Sequence, residues 1–264
     1  MESIAAIGSL ADLALLVALA STRFAVAFAL LPLFSSETVP ALVRNAVFIG
    51  FGLITLAVQP ALQPGQWDGT HWLTLFAREA LLGIGFGVVL GAVMWAFETA
   101  GQIVDTKVGA TLAQVVDPLS GHQTSVSGSL LSRLASFIFM AGGGFMALVA
   151  VLVQSFAVWP LAQPTLTLQP GSLAVFEQAF ASFAVLALLF AAPCLIVLYV
   201  VDLALGLVNR FAPQLNLISI SMSLKSVAAV FVWVLLFVPL VGAIESHLAD
   251  AVAGLLPALR VWAP

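Results

Sequence analysis

Six long apolar stretches, separated by short breaks rich in proline, glycine and polar residues, frame this chain: Ile4–Phe34, Ala41–Gln59, Trp72–Ala100, Leu130–Trp159, Leu173–Val208 and Val227–Ile244. A helix crosses the hydrocarbon core of a bilayer with roughly 17 to 25 apolar residues, so each stretch predicts a membrane helix. The breaks coincide with turn chemistry. Pro32, the tetrad Ser35 to Thr38 and Pro40 end the first stretch, Pro60, Pro64 and Gly65 the second, Pro160, Pro164 and Pro170 the fourth, and Pro213 the fifth. Between the third and fourth lies the longest non-apolar passage, Glu98–Gly128. Gly101, Gly109, Gly121, Gly128 and the pair Asp117-Pro118 make it an expected loop. Interleaved Ile103, Val108, Leu112, Val116 and Leu119 predict that the loop packs against protein instead of floating in solvent.

Within the stretches, polar and small residues fall at helical spacing. Asp12 and Arg23 in the first are eleven residues apart, hence within about 20° of one another on the helix surface and about 16 Å apart along it. A charged side chain at mid-bilayer costs on the order of 2.5 to 3.5 kcal/mol, so their common face predicts protein neighbours. In the third stretch Glu79, Gly83, Gly87 and Gly91 recur every four residues and Glu98 follows seven later, a stripe that admits a second helix at close range. Arg78 and Glu79, adjacent in sequence, point about 100° apart and are not expected to pair. Gly142-Gly143-Gly144 predicts a kink in the fourth stretch. Asp202, Gly206, Asn209 and Arg210 share one face near the end of the fifth, which Ser172 is expected to cap. Residues Ile218–Leu224 alternate strictly between apolar residues and serine, which argues for an extended segment, with a short serine-rich helix as the alternative.

Composition agrees with a membrane class. The chain is 62% hydrophobic and 8% charged, with a mean hydropathy of +1.16, whereas globular proteins are about 45 to 50% apolar and about 25% charged. A net charge of -4 spread over 20 charged side chains leaves no basic patch for nucleic acid. Arg44, Lys107, Arg133, Arg210 and Lys225 gather at the connections after the first, third and fifth spans, so the positive-inside rule places both termini outside the cytoplasm. No catalytic constellation is found: His71, His122 and His247 are scattered, Cys194 is alone in an apolar run, and no HExxH, Walker or nucleophile-elbow motif exists. The reading is a non-enzymatic protein without cofactor or metal.

Two motifs then carry a resemblance. The central GQIVDTKVGATLAQVVDPLSGHQTSVSG resembles the loop of the FliR/SctT family of type III secretion export membrane components, and GLVNRFAPQLNLISISMSLKS resembles that family's stretch before the last apolar segment. Arg23, Leu31 to Phe34, Pro40 and Val43 to Asn45 also fit, and Arg44-Asn45 with Ser223 to Ser226 resemble the injectisome branch, SctT, more than the flagellar branch. Lys107-Val108 departs from the glutamine or arginine frequent in the family.

The resemblance implies an all-α membrane protein of helical hairpins packing into a hetero-oligomeric ring. Residues 1–165 would be like the SctR/FliP subunit, with a plug loop over 101–128, and residues 166–264 like the SctS/FliQ hairpin. The implied function is part of the protein-conducting pore for unfolded substrates in the bacterial inner membrane, partly raised toward the periplasm. Asp105, Lys107, Gly109, Asp117, Pro118, Gly121 and Gln123 would belong to the plug. Arg210, Pro213, Gln214, Asn216 and Lys225 would lie near the cytoplasmic entrance. Implied partners are SctR/FliP-like and SctS/FliQ-like subunits, the SctU/FlhB-like switch protein, the SctV/FlhA-like export gate and inner rod or needle subunits. The alternative from another class is a six-span secondary transporter using Asp12, Arg23, Glu98 and Asp202 as an intramembrane ion path.

Overall fold

The computed structural model describes residues 10–34, 39–58, 67–109, 125–163, 172–211 and 217–262. Among these residues regular structure is entirely helical. The helices are α1 (Leu10–Ala29), α2 (Ala41–Val58), α3 (Gly69–Val108), α4 (Val126–Ala141), α5 (Gly144–Val158), α6 (Ser172–Phe211), α7 (Leu217–Leu235) and α8 (Phe237–Trp262), with one short 3-10 turn at Pro32–Phe34. Among the described residues four helices, α1, α3, α6 and α8, are long and apolar enough to span a membrane, and the pair α4 and α5, bent by 71°, counts as a fifth where it is taken as one span. The expected count of six is therefore approximate, since the apolar parts of α2 and α7 fall short of a full span.

Three boundaries differ from expectation. The passage Glu98–Gly128 is not a loop throughout: α3 continues to Val108 and α4 begins at Val126, so both ends of the passage are helical. Gly101 and Gly128 are helical contact positions instead of turns. Ile218–Leu224, expected to be extended, lies within α7. Seven alternating residues are a short signal, and the apolar run that follows them carries the helical period. The last apolar stretch is divided at Leu236, and helix continues beyond Ile244 to Trp262. Pro239 has no N–H to offer the Leu235 carbonyl, which interrupts the ladder at that point.

The expected kink falls between α4 and α5. Gly142 caps α4, and Gly143 adopts φ +77°, a left-handed conformation open to glycine at little cost. Ser172 opens α6. The chain forms two compact units, one of residues 1–92, 143–180 and 249–264, the other of 93–142 and 181–248.

In the first unit, aromatic packing joins α1, α2 and α5. Phe28 stacks on Phe48 at 5.7 Å, meets Phe34 edge-on at 5.1 Å and lies 5.5 Å from Phe145, while Phe24 approaches Phe51 at 5.4 Å. Such pairs add about 0.5 to 1.5 kcal/mol each beyond buried area. Asp68 opens α3, its Oδ1 accepting from His71 N at 2.8 Å and Thr70 Oγ1 at 2.9 Å. The backbone bond at His71, then the Thr70 hydroxyl, hold this carboxyl below its ordinary range. In the second unit Phe97 and Phe190 pack edge to face at 4.7 Å.

Candidate functional site

A buried ionic knot sits in the first unit where α1 meets α3. Arg23 Nε donates to Glu79 Oε2 at 2.8 Å and Nη2 to Oε1 at 3.0 Å, with both side chains fully buried. The remaining donors reach α5: Nη1 bonds Ser155 Oγ at 2.6 Å and Nη2 also bonds the Trp159 carbonyl at 3.2 Å. The guanidinium lies 3.7 Å from the centroid of the Phe156 ring. This is the arrangement a buried charge pair requires, with two parallel bonds to the carboxylate and two further bonds from the guanidinium to neutral acceptors.

The glycine spacing explains how α1 comes so close. A Cβ on Gly83 would lie 2.8 Å from the Arg23 carbonyl and 2.9 Å from Val26 Cβ, and one on Gly87 2.9 Å from the Ala27 carbonyl. Gly91 is buried one turn further along. Asp12, on the same helix as Arg23, does not enter this knot and is half-buried. Arg78 corrects the expectation made for it. Its Nη2 lies 3.5 Å from Glu79 Oε1 and donates to the Pro160 carbonyl at 2.9 Å, because a long side chain can swing round to its neighbour's head group.

In the second unit, the end of α3 is clasped to the start of α4. Asp105 Oδ2 accepts from Ser125 Oγ at 2.6 Å and from Ser127 N at 2.9 Å, and Oδ1 accepts from Ser127 Oγ at 2.5 Å. Ser125 is itself the N-cap of α4, accepting from Gly128 N at 2.8 Å. A carboxylate at a helix N-terminus is favoured by the orphan N–H groups and by the helix dipole. One turn before Asp105, Gly101 lies against the backbone of Ser127 and Gly128. Glu98, a further turn back by three residues, accepts from Ser132 Oγ at 3.3 Å and Gln102 Nε2 at 3.2 Å. Gly109, at φ +107°, ends α3 and its N–H bonds the Asp105 and Thr106 carbonyls at 3.2 Å.

A third cluster joins α3, α6 and α7 in the same unit. Lys107 Nζ lies 2.8 Å from Asp202 Oδ2, Lys225 Nζ pairs with Asp202 Oδ1, and Lys107 also sits 4.0 Å above the Tyr199 ring. Arg210 is exposed near the end of α6. Asp105 and Lys107 stand on the helix, not in the loop. Asp117, Pro118, Gly121 and Gln123, like Pro213, Gln214 and Asn216, lie outside the described residues. The sequence reading missed the serines of the clasp, the Ser155 contact and the role of Tyr199. An Asp followed by a Ser-x-Ser-Gly helix start was the available signal for the first of these.

Comparison with known proteins bears on the whole chain. The profile of the family described as Bacterial export proteins, family 1, matches residues 14–251. The Yop proteins translocation protein T of Yersinia pestis is 33% identical over 211 residues, which is 78% of this chain and 80% of that protein. The surface presentation of antigens protein SpaR of Salmonella typhimurium is 34% identical over 225 residues, 84% of this chain and 82% of the relative. The flagellar biosynthetic protein FliR of Bacillus subtilis is 28% identical over 207 residues, 77% and 78% of the two chains.

Proposed function

We infer the role of this chain from one premise: it belongs to the bacterial export proteins, family 1. It is a multi-pass membrane component of a type III export apparatus, nearer in sequence to the injectisome relatives than to the flagellar ones quoted above. The finer reading is that it forms part of the export gate, conducting unfolded protein across the bacterial inner membrane. Residues 1–165 stand in for an SctR/FliP-like subunit and 166–264 for an SctS/FliQ-like hairpin. In that reading it joins several copies of each, with part of the ring raised toward the periplasm.

The observation that carries this reading is the uncovered length of α6. Its exposed apolar residues run from Phe180 through Leu188, Ile196, Leu203 and Leu207 to Phe211. That distance is about 46 Å at 1.5 Å per residue, and a tilt of about 40° still projects it to about 35 Å. The hydrocarbon core is about 30 Å thick. Lipid alone leaves apolar surface in contact with water, whereas neighbouring helices cover it. The charges proposed for a transporter path do not favour that alternative: Arg23 is tied to Glu79, and Asp202 to two lysines. Native mass spectrometry of the complex purified through a tag on this chain, after co-expression with neighbouring genes, is the test. One copy with several copies of two smaller helical membrane proteins is expected; a monomer or homo-oligomer overturns the reading.

The segment Asp105 to Ser127 is proposed as the plug, with Gly109, Pro118 and Gly121 shaping it and Asp105 and Asp117 holding it alongside Lys107 and Gln123. The Asp105 clasp supports this by tying the two ends of the loop together. Asp105→Ala removes three bonds to a charged acceptor, of which one alone is worth about 1.5 to 3 kcal/mol. The variant is expected to raise ion leakage through the assembled gate, measured as conductance in reconstituted bilayers; leakage equal to wild type counts against the plug. Arg210 to Lys225 is proposed to face the cytoplasmic entrance near the SctU/FlhB-like protein. The SctV/FlhA-like gate and inner rod or needle subunits are further partners of the same reading.

A further inference from the structure

Within the second unit, α6 packs beside the break between α7 and α8 around a cavity of about 230 Å³. Phe190 and Pro193 line it from α6 and Trp233 from α7, while Pro239, Ala243 and His247 line it from α8, each four residues from the last and so on one face. The walls are apolar except in three places. His247 meets the Phe190 ring edge to face at 6.0 Å, is half-buried, and makes no hydrogen bond among the described residues. Trp233 holds its Nε1 buried without a partner among the described residues. Pro193, inside α6, has no N–H to give the Leu189 carbonyl, and Leu189 also borders the cavity.

We propose that this cavity is a binding site for a small uncharged molecule that dissolves in the bilayer, an apolar ring or short chain ending in a hydroxyl. Each part of that description answers a feature of the walls. A cavity of about 150 Å³ lined by aliphatic and aromatic side chains holds benzene, so this one admits such a ring with a short substituent. Both α6 and α8 are long and apolar enough to span, and His247 lies about 15 Å from the start of α8, inside the apolar window Phe237–Leu255. A charged head group is costly at that depth. A hydroxyl both donates and accepts: it can give its proton to an imidazole nitrogen or to the Leu189 carbonyl, and it can accept from an N–H of His247 or Trp233. Leu189 is 57% exposed, and Phe237, beside the break, 52%. The cavity therefore borders apolar surface, the side from which such a molecule arrives.

The test uses the full chain purified in detergent and the complex purified with its partner subunits, with para-trifluoromethylphenol as probe and fluorine NMR as readout. Empty micelles of the same detergent give the unsaturable background. Saturable binding to both preparations is expected, displaced by para-propylphenol. Ala243→Phe, which fills the cavity, should abolish it. His247→Leu removes a hydrogen bond and should weaken the phenol about two- to tenfold while leaving trifluoromethylbenzene unchanged, a split that an apolar gap alone does not produce. Thermal unfolding followed by tryptophan fluorescence checks that each variant is folded, and His247→Leu keeps the test decisive should Ala243→Phe fail to fold. No saturable binding, binding that survives Ala243→Phe, or equal effects of His247→Leu on the two probes overturns the proposal. So does binding to the chain but not to the complex, which would mean that a neighbouring helix fills the cavity.

Discussion

Glu79→Ala is expected to remove about 3 to 5 kcal/mol of stability, the range for breaking a buried ion pair from one side, and to leave little folded protein in the membrane. The reason is the neighbourhood the carboxylate leaves behind. Arg23 is fully buried and directs two of its hydrogen bonds to Glu79, while Arg78, 2% exposed, reaches within 3.5 Å of the same carboxylate. Without Glu79, two buried guanidiniums face one another with only Ser155 Oγ and the carbonyls of Trp159 and Pro160 as acceptors. Neutral acceptors satisfy N–H groups but do not offset charge. The pair is thus not valuable for its net energy so much as costly to break. Arg23→Met with Glu79→Leu should recover part of the loss, and adding Arg78→Met should recover most of it, since well-packed apolar replacements of a whole charge cluster are often neutral. Thermal unfolding followed by tryptophan fluorescence checks the series. A single Glu79→Ala variant as stable as wild type would show that the knot is not held by charge.

The same knot marks how far the sequence could be read. The four-residue spacing of Glu79, Gly83 and Gly87 is visible because it is local to one helix. Its neighbour is not, because which helix covers a stripe depends on contacts between residues 56 positions apart. Asp12 and Arg23 share a face by spacing, yet Arg23 is paired across helices and not along its own. Misreadings have a similar origin. Glycine serves both as a turn former and as the residue that lets two backbones touch. Gly101 and Gly128 belong to the second use, which only the packed structure distinguishes, so α3 was expected to stop about two turns early. Ile218–Leu224 illustrates the reverse error, in which a short alternation outweighs the longer helical run into which it leads. The helical membrane class, by contrast, is fixed by composition and stretch length, which do not depend on pairing.

Gly101→Ala is expected to be among the most damaging small substitutions in the second unit, costing about 3 kcal/mol, the upper part of the range for overpacking. An added Cβ would fall on the backbone of Ser127 and Gly128, 2.5 Å from Gly128 Cα, and backbone cannot rotate away as a side chain does. The only relief is for α4 to move outward. That movement stretches the bonds from Ser127 to Asp105, one turn along α3, which are 2.5 and 2.9 Å long. A single methyl group therefore acts on both packing and clasp, so the variant should also leak ions if the loop closes the pore. Gly206→Ala is the matched control. It lies in α6 of the same unit with nothing within 4 Å of an added Cβ, so it should be neutral or gain up to about 1 kcal/mol from helix propensity. Unfolding midpoints of the two variants, measured on the purified chain in detergent, decide the matter. Equal midpoints would mean that α3 and α4 do not approach closely at Gly101, and the clasp would then have to be held by Asp105 alone.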